Sequence, residues 1–254
     1  MINESEISSP RVRRKRLAKR TAILDAAMDL IEDKGLEGLT LQDVAAAMDF
    51  APAALYRYFP SKDALVGELQ RRVVEQFGEY VSAARLWAKQ AAKERRLSTS
   101  AARLLPLVAI AGFYREFAGR NEARFGLIAS SLGDPRKLID DDQARRVLGE
   151  ATPIFEAVAA DVAAAQRAKV LRDGDPFLRA VSFWAALHGV MQLRKLSRLD
   201  PKRLAIEPLA DELVRGLLRG WGATRVGVGK AQAAAADLEW DALAALVESE
   251  DEET

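Results

Sequence analysis

Apolar residues recur along this chain at intervals of three and four, and no stretch alternates apolar with polar over a strand's length. The pattern predicts an all-α fold. Ile23, Ala27, Leu30 and Ile31 make one helical stripe from about Ala18 to Lys34, and Gly35 is placed to end it as a left-handed cap. Leu36, Leu39 and Leu41 then pack against the second and third helices. In residues 40–48, Thr40 is set to cap a short helix carrying Leu41, Val44, Ala45 and Met48, with Asp43 at the capping-box position. Asp49 breaks the run and tolerates a left-handed turn. Pro52 suits the first position of another short helix, where its missing N–H costs nothing. That helix, about two turns long, turns Leu55 and Phe59 inward and leaves Tyr56, Arg57 and Tyr58 on other faces, behind a small leading edge of Ala51, Ala53 and Ala54.

A fourth helix runs from Ser61 to about Gln90 on Leu65, Leu69, Val73 and Phe77, and the charged residues 91–99 read as a loop. From Ala101 to Gly119 apolar residues cover most faces, the mark of a central buried helix. A shorter helix covers Asn121–Ser131, Gly133-Asp134-Pro135 is a turn, and Asp140 to about Leu171 is a long helix with Ile154, Phe155 and Val158 inward. The loop 172–176 ends in an N-cap Asp175 and an N1 Pro176. Residues 177–196 are apolar on nearly every face. After Asp200-Pro201, a clean stripe runs through Ile206, Leu209, Leu213, Leu217 and Trp221, flanked by Ala210, Val214 and Leu218. The remaining residues read as an Ala/Gly linker, a short amphipathic piece (Leu238, Trp240, Leu243, Leu246) and an acidic end.

Composition narrows the classes. At 254 residues and 49% hydrophobic the chain can bury a sizeable core, which excludes a wholly disordered protein. It has no cysteine and one histidine, so thiolate, disulfide and His-rich metal chemistry are out of reach, and no cofactor is expected. No apolar run reaches membrane-spanning length and no signal peptide is evident, so no membrane partner and a cytoplasmic location are expected. The net charge of +1 hides an uneven distribution. Residues 11–20 hold seven Lys/Arg and no acid, whereas the chain ends in ESEDEET.

That basic run precedes the two short helices, and Ser61 and Lys62 come after them at a helix start, where a lysine can hold a phosphate. A short helix with a narrow front and an Arg–Tyr flank fits a DNA major groove. The basic run is either a solvated helix start or an arm reaching DNA backbone or minor groove; beside such a motif the arm is preferred. The stretches AILDAAMDLIEDKGLEGLTLQDVAAAM and LYRYFPSKDAL closely resemble the N-terminal domain of the tetracycline-repressor family. The resemblance implies a three-helix DNA-binding domain, a dimer and a larger helical ligand domain. The turn departs from the family pattern: Ala51 stands where a phosphate-touching Ser or Thr is common. The residues expected at DNA are Arg14, Lys15, Thr40, Ala51, Pro52, Ala53, Tyr56, Arg57, Tyr58 and Lys62.

The segments FYREFAGRNEARF and FWAALHGV resemble, more loosely, an effector domain of this family with a Trp…His-Gly motif. Phe113, Tyr114, Phe117, Phe125, Phe155, Trp184, His188 and Met191 lie on helices that must converge, and an apolar pocket with few polar groups is how small-molecule sites are built. Each of these residues taken singly also reads as core, and His188 as a hydrogen-bonded core residue. The 177–196 helix and the 206–222 stripe need partners, and two such helices from each of two chains make a four-helix interface. Phe183, Leu187, Leu209, Leu213, Leu217 and Trp221 are the expected interface residues.

The expected organisation is a disordered basic arm (1–17), a helix-turn-helix domain (18–60), a helical effector-binding and dimerisation domain (61–222) and an acidic tail (223–254). The expected function is a transcriptional regulator, a repressor released from a palindromic operator by a small, largely apolar effector. Two alternatives stay open: a DNA-binding regulator without an effector, and a helical enzyme. The helical enzyme lacks support: the chain has no cysteine, one histidine, no phosphate-binding Gly-rich loop and no acid pair that can be placed in a pocket.

Overall fold

A computed structural model of the chain describes residues 9–133, 139–239, 241 and 243, without the side chains of 132 and 133. Among these residues the helices are α1 (Pro10–Lys34), α2 (Leu41–Ala47), α3 (Pro52–Tyr56), α4 (Lys62–Glu94), α5 (Thr99–Arg120), α6 (Glu122–Ile128), a π-helical turn (Ala129–Gly133), α7 (Asp141–Arg167), α8 (Pro176–Gln192), α9 (Arg194–Leu199), α10 (Ile206–Gly220) and α11 (Arg225–Ala235). No strand occurs among them, and none of the helices is long and apolar enough to cross a membrane. The chain divides into two compact units, Met1–Val73 with Glu122–Val147, and Val74–Asn121 with Leu148–Thr254. This differs from the expected break at residue 60, because α4 and α7 are continuous helices that each contribute to both units.

In the first unit α1 buries Ile23, Leu24, Ala27 and Ile31, α2 buries Leu41, Val44 and Ala45, and α4 begins with buried Leu65, Val66 and Leu69. Gly35 ends α1 at φ 76°, ψ 166°, a positive φ that suits glycine, though its ψ lies outside the left-handed helical well. The basic run is not an arm over its described length. Pro10 sits at N1 and the helix starts there, since Arg, Lys, Leu and Ala are good helix formers and the charged side chains project into water. The expected disorder of residues 1–17 is therefore corrected for Pro10–Leu17, while residues 1–8 lie outside the described ones. Further on, the π-helical turn frees backbone carbonyls that serines take up. Ser130 donates to the Leu127 carbonyl at 2.9 Å, Ser131 donates to that of Ile128 at 2.9 Å, and buried Gln70 donates to Ser130 Oγ at 3.0 Å.

In the second unit α5 is buried on most faces, as its composition requires. Arg85 on α4 closes a two-pronged ion pair with Asp161 on α7, at 2.5 and 3.2 Å, with side-chain exposures of 17% and 10%. α8 starts on Asp175, whose Oδ1 accepts from the N–H groups of Phe177 and Leu178 at 2.8 and 3.0 Å. Its inner face is Ala180, Phe183, Leu187, His188 and Met191, and Leu178, Ser182, Ala185 and Gly189 face out. Phe183 and Leu187, each 2% exposed, are thus core residues of their own chain, which corrects their expected place in an interface. α10 buries Ala210, Val214 and Leu218, leaving Leu209, Leu213, Leu217 and Trp221 half-buried.

Residues 224–235 are not part of an acidic tail. They form α11, capped by Thr224 Oγ1 accepting the Gly227 N–H at 3.1 Å, and buried through Gly227, Val228, Ala231 and Ala234. Gly227, Ala231 and Ala234 fall on one helical face, and their small size lets α11 approach α5 closely. A Cβ on Gly227 would stand 2.1 Å from Ser100 Oγ and 3.0 Å from the capping Thr224 Oγ1. Gly227→Ala should therefore lose about 1–3 kcal/mol of stability despite alanine's better helix propensity, and Ser100→Gly in the same chain should restore part of it. An unchanged urea midpoint for the single variant would show that this contact is not tight. The amphipathic piece is described only in part: Leu238 is half-buried and Leu243 buried, while Trp240, Leu246 and the acidic end lie outside the described residues, as do Asp134 and Pro135 of the expected turn.

Candidate functional site

The first unit presents α3 on a rigid base. Thr40 Oγ1 accepts the Asp43 N–H at 3.1 Å and donates to Asp43 Oδ2 at 2.8 Å, so Asp43 binds the capping hydroxyl instead of closing a full capping box. Asp49 takes φ 53°, the left-handed conformation the turn demands, and the Phe50 N–H returns to the Ala45 carbonyl at 2.8 Å. Ala51, held extended before a proline, leads into Pro52 at N1. The helix proper is only five residues long, shorter than the expected two turns. It is held from beneath by Leu55 and Phe59, 0% and 1% exposed.

Arg20 adds a brace that charge counting missed. Its guanidinium lies 4.5 Å over the Phe59 ring, donates to the Tyr58 carbonyl at 3.1 Å and pairs with Glu68 at 3.5 Å. Burial pushes the Glu68 carboxyl up, but the hydrogen bond and charge of Arg71 and the charge of Arg20 outweigh it, so the group sits below its ordinary range and stays ionised. Lys19 similarly lies 5.5 Å over Phe50. The basic run thus divides: Lys19 and Arg20 pack on the head, and Arg11, Arg13, Arg14, Lys15 and Arg16 remain exposed. Ala51, Pro52, Ala53, Tyr56 and Arg57 form one exposed edge with Thr40 also exposed, and Tyr58 is half-buried. Lys62 has a structural task, its ammonium donating to the carbonyls of Leu36 and Glu37 at 3.3 and 3.4 Å.

In the second unit, side chains from α4, α5, α7 and α8 enclose a cavity of about 30 Å³. It is lined by Phe77, Val81, Ile110, Tyr114, Ile154, Phe155, Val158, Ala180, Phe183, Trp184 and Leu187. That is room for about two waters. Of the eight aromatic and soft residues expected here, Tyr114, Phe155 and Trp184 line it. His188 stands behind Tyr114, with Nδ1 2.7 Å from the phenol oxygen, Nε2 3.1 Å from the Gln192 amide, and its ring stacked 5.2 Å from Trp184. Phe113 and Phe117 instead pack on Phe77, at 5.2 and 5.3 Å, and Phe125 belongs to the other unit. Met191, 1% exposed, is core. Gln192 went unnoticed, although its place one turn after His188 marks it as a partner.

Burial pushes the imidazole of His188 below its ordinary range, so the neutral ring dominates at neutral pH. Because the folded-state value is depressed, the stability this residue contributes is present above the unfolded value near 6.5 and fades as pH falls. His188→Phe leaves the buried Tyr114 hydroxyl without its imidazole partner and should cost about 1–3 kcal/mol at pH 7.5. The gap between variant and wild type should narrow by pH 5. A gap that widens on acidification would mean that His188 is charged in the fold.

Comparison with known proteins gives two family matches. Residues 23–69 match the family described as bacterial regulatory proteins, tetR family, and residues 107–217 match the one described as tetracyclin repressor-like, C-terminal domain. The HTH-type transcriptional repressor KstR2 of Rhodococcus jostii (strain RHA1) is 36% identical over 63 residues, 24% of this chain and 31% of that protein. The chain therefore spans about a third of the length of that relative. Among solved structures, a protein of unknown function from Rhodococcus sp. RHA1 shares the fold at TM-score 0.61 and 20% identity, over 80% of this chain and 94% of that one. A bacterial regulatory protein in the tetR family from Rhodococcus RHA1 does so at TM-score 0.58 and 16% identity, over 81% and 97%.

Proposed function

The chain belongs to the tetracycline-repressor family of transcriptional regulators, DNA-binding proteins and not enzymes, and we propose that it is a repressor that leaves a palindromic operator when a small apolar effector enters the second unit. The observation that carries the proposal is the exposed edge of α3, Ala51-Pro52-Ala53 with Tyr56 and Arg57, on a base buried to within 1%. A narrow front lets the helix enter the major groove, and the two longer side chains flank it. The five exposed basic residues of the first turns of α1 supply phosphate contacts, Arg14 and Lys15 among them. Lys62, already bonded to two carbonyls, supports the head, and any contact it makes with a phosphate uses its third N–H.

KstR2 is named a repressor, which favours repression here. A two-fold dimer sets two α3 helices one DNA turn apart, roughly 34–36 Å. The effector site is the aromatic cavity. Its walls include α4, the helix whose first residues belong to the DNA-reading unit, so opening the cavity bears on that helix. The coupling is bounded by the effector's difference in affinity for the two states.

Selection from random duplexes with the purified protein should enrich a palindrome with half-sites one turn apart. On that DNA, Arg57→Ala should weaken binding by about 1–3 kcal/mol and relax the sequence requirement at one position of each half-site. Enrichment of no symmetric sequence, or full affinity and unchanged specificity in the variant, would remove α3 from the interface.

A further inference from the structure

The walls of the aromatic cavity restrict a ligand beyond requiring it to be greasy. They include no lysine, arginine, aspartate or glutamate. The ionisable group among them is the Tyr114 hydroxyl, which burial raises well above its ordinary range, so it is uncharged at neutral pH. The imidazole behind it is neutral for the same physical reason. One turn along the α4–α7 seam, past Val81 and Val158, the charges of Arg85 and Asp161 are spent on each other through two hydrogen bonds. A ligand carboxylate, phosphate or ammonium brought into this space would shed its water without meeting a counter-charge, which is the costliest way to bury a polar group.

The polar edge the walls offer is the Tyr114 hydroxyl, held by the His188 imidazole and hydrogen-bonded by the Trp184 side chain. A hydroxyl both donates and accepts, so it can meet an alcohol or a carbonyl oxygen. The rim is aromatic. Phe155 stands edge-on to Trp184 at 5.6 Å and to Phe177 at 6.3 Å, and Phe177 is 40% exposed. A flat apolar body can replace these ring contacts with its own as it parts them.

We infer that the ligand of this cavity is an uncharged molecule, apolar over most of its surface, whose single hydroxyl or carbonyl oxygen meets the Tyr114 hydroxyl, and that charged analogues of the same skeleton are rejected. The inference rests on the aromatic cavity being the effector site.

Two matched series test it by titration calorimetry on the full chain at pH 7.5: 2-naphthol, 2-naphthoate and 2-naphthylmethylammonium, then decanol, decanoate and decylammonium. Val158→Phe, which fills the cavity, identifies binding at this site, and competition between series members does so if that variant fails to fold. In at least one series the uncharged member should bind about tenfold or more tightly than either charged partner. Tyr114→Phe should shrink the preference for 2-naphthol over naphthalene about fivefold while sparing naphthalene itself. Charged members that bind at the site as tightly as the alcohols overturn the inference and leave the cavity standing as the effector site. If none of the six binds there, the cavity is not the effector site, and the inference falls with it.

Discussion

Arginine at both Ala185 and Gly189 is expected to leave a folded monomer that no longer holds a palindromic operator. Both positions lie on the outer face of α8, with Leu178 and Ser182, and a Cβ on Gly189 meets nothing within 4 Å. The neighbouring α10 shows the same property at Gly216 and Gly220, one turn apart, beside half-buried Leu213 and Leu217. Two helices with small outward residues can meet their symmetry mates at short range, as a four-helix interface requires. Replacing Leu213 and Leu217 would test the same interface less cleanly, because part of each side chain also packs on its own chain. Ala185 and Gly189 avoid that confusion, and arginine is a better helix former than glycine. Two guanidinium groups per chain, each facing its symmetry mate, leave desolvated like charges in the contact. Losing the second half-site removes the gain from bivalency, so operator affinity should fall by about 10²–10⁴-fold. Sedimentation of the variant as a dimer with full operator affinity would place the interface elsewhere.

The same helix shows where sequence reading stops. Residues 177–196 are apolar on nearly every face, so periodicity cannot say which side turns inward. Bulk pointed to Phe183 and Leu187 as the contact residues, and bulk is what the core of the same chain consumed. Beyond Leu178 the outer face carries the small residues Ser182, Ala185 and Gly189, which give little hydropathy signal. The head was legible for the opposite reason. Thr40, Asp49 and Pro52 each act through a local mechanism, a cap, a left-handed turn and a proline start, and such mechanisms do not wait for distant partners. α11 was read as a linker because Gly227 and Gly229 lower helix propensity, whereas its helix depends on burial against α5 that local propensity does not register. The basic run near the N-terminus has a charge count that fits an arm and a helix equally. Pro10 decides for the helix, and Arg20 finds its task only once Phe59 and Glu68 are in place.

In the second unit, the largest single loss of stability should result from Arg85→Met. Asp161 is 8% exposed, and both of its carboxylate oxygens are bonded by the Arg85 guanidinium. Removing the guanidinium leaves a buried carboxylate with no counter-charge, for which about 3–5 kcal/mol is the usual cost. Replacing both partners removes the stranded charge, so Arg85→Met with Asp161→Leu should recover most of that loss, as a double-mutant cycle in urea would measure. A purely packing role for the arginine stem predicts otherwise, since methionine supplies a similar apolar stem and the single variant would then lose little. The pair ties α4 to α7 one turn from Val81 and Val158 in the cavity wall. The stable double variant therefore carries a second expectation: with packed apolar side chains in place of the pair, the seam holds about as well and the effector should bind about as tightly as to the wild type. Urea midpoints for the three variants decide the first point. A single variant that loses less than about 1 kcal/mol, or a double variant no more stable than the single one, would show that the ion pair is not what holds this seam.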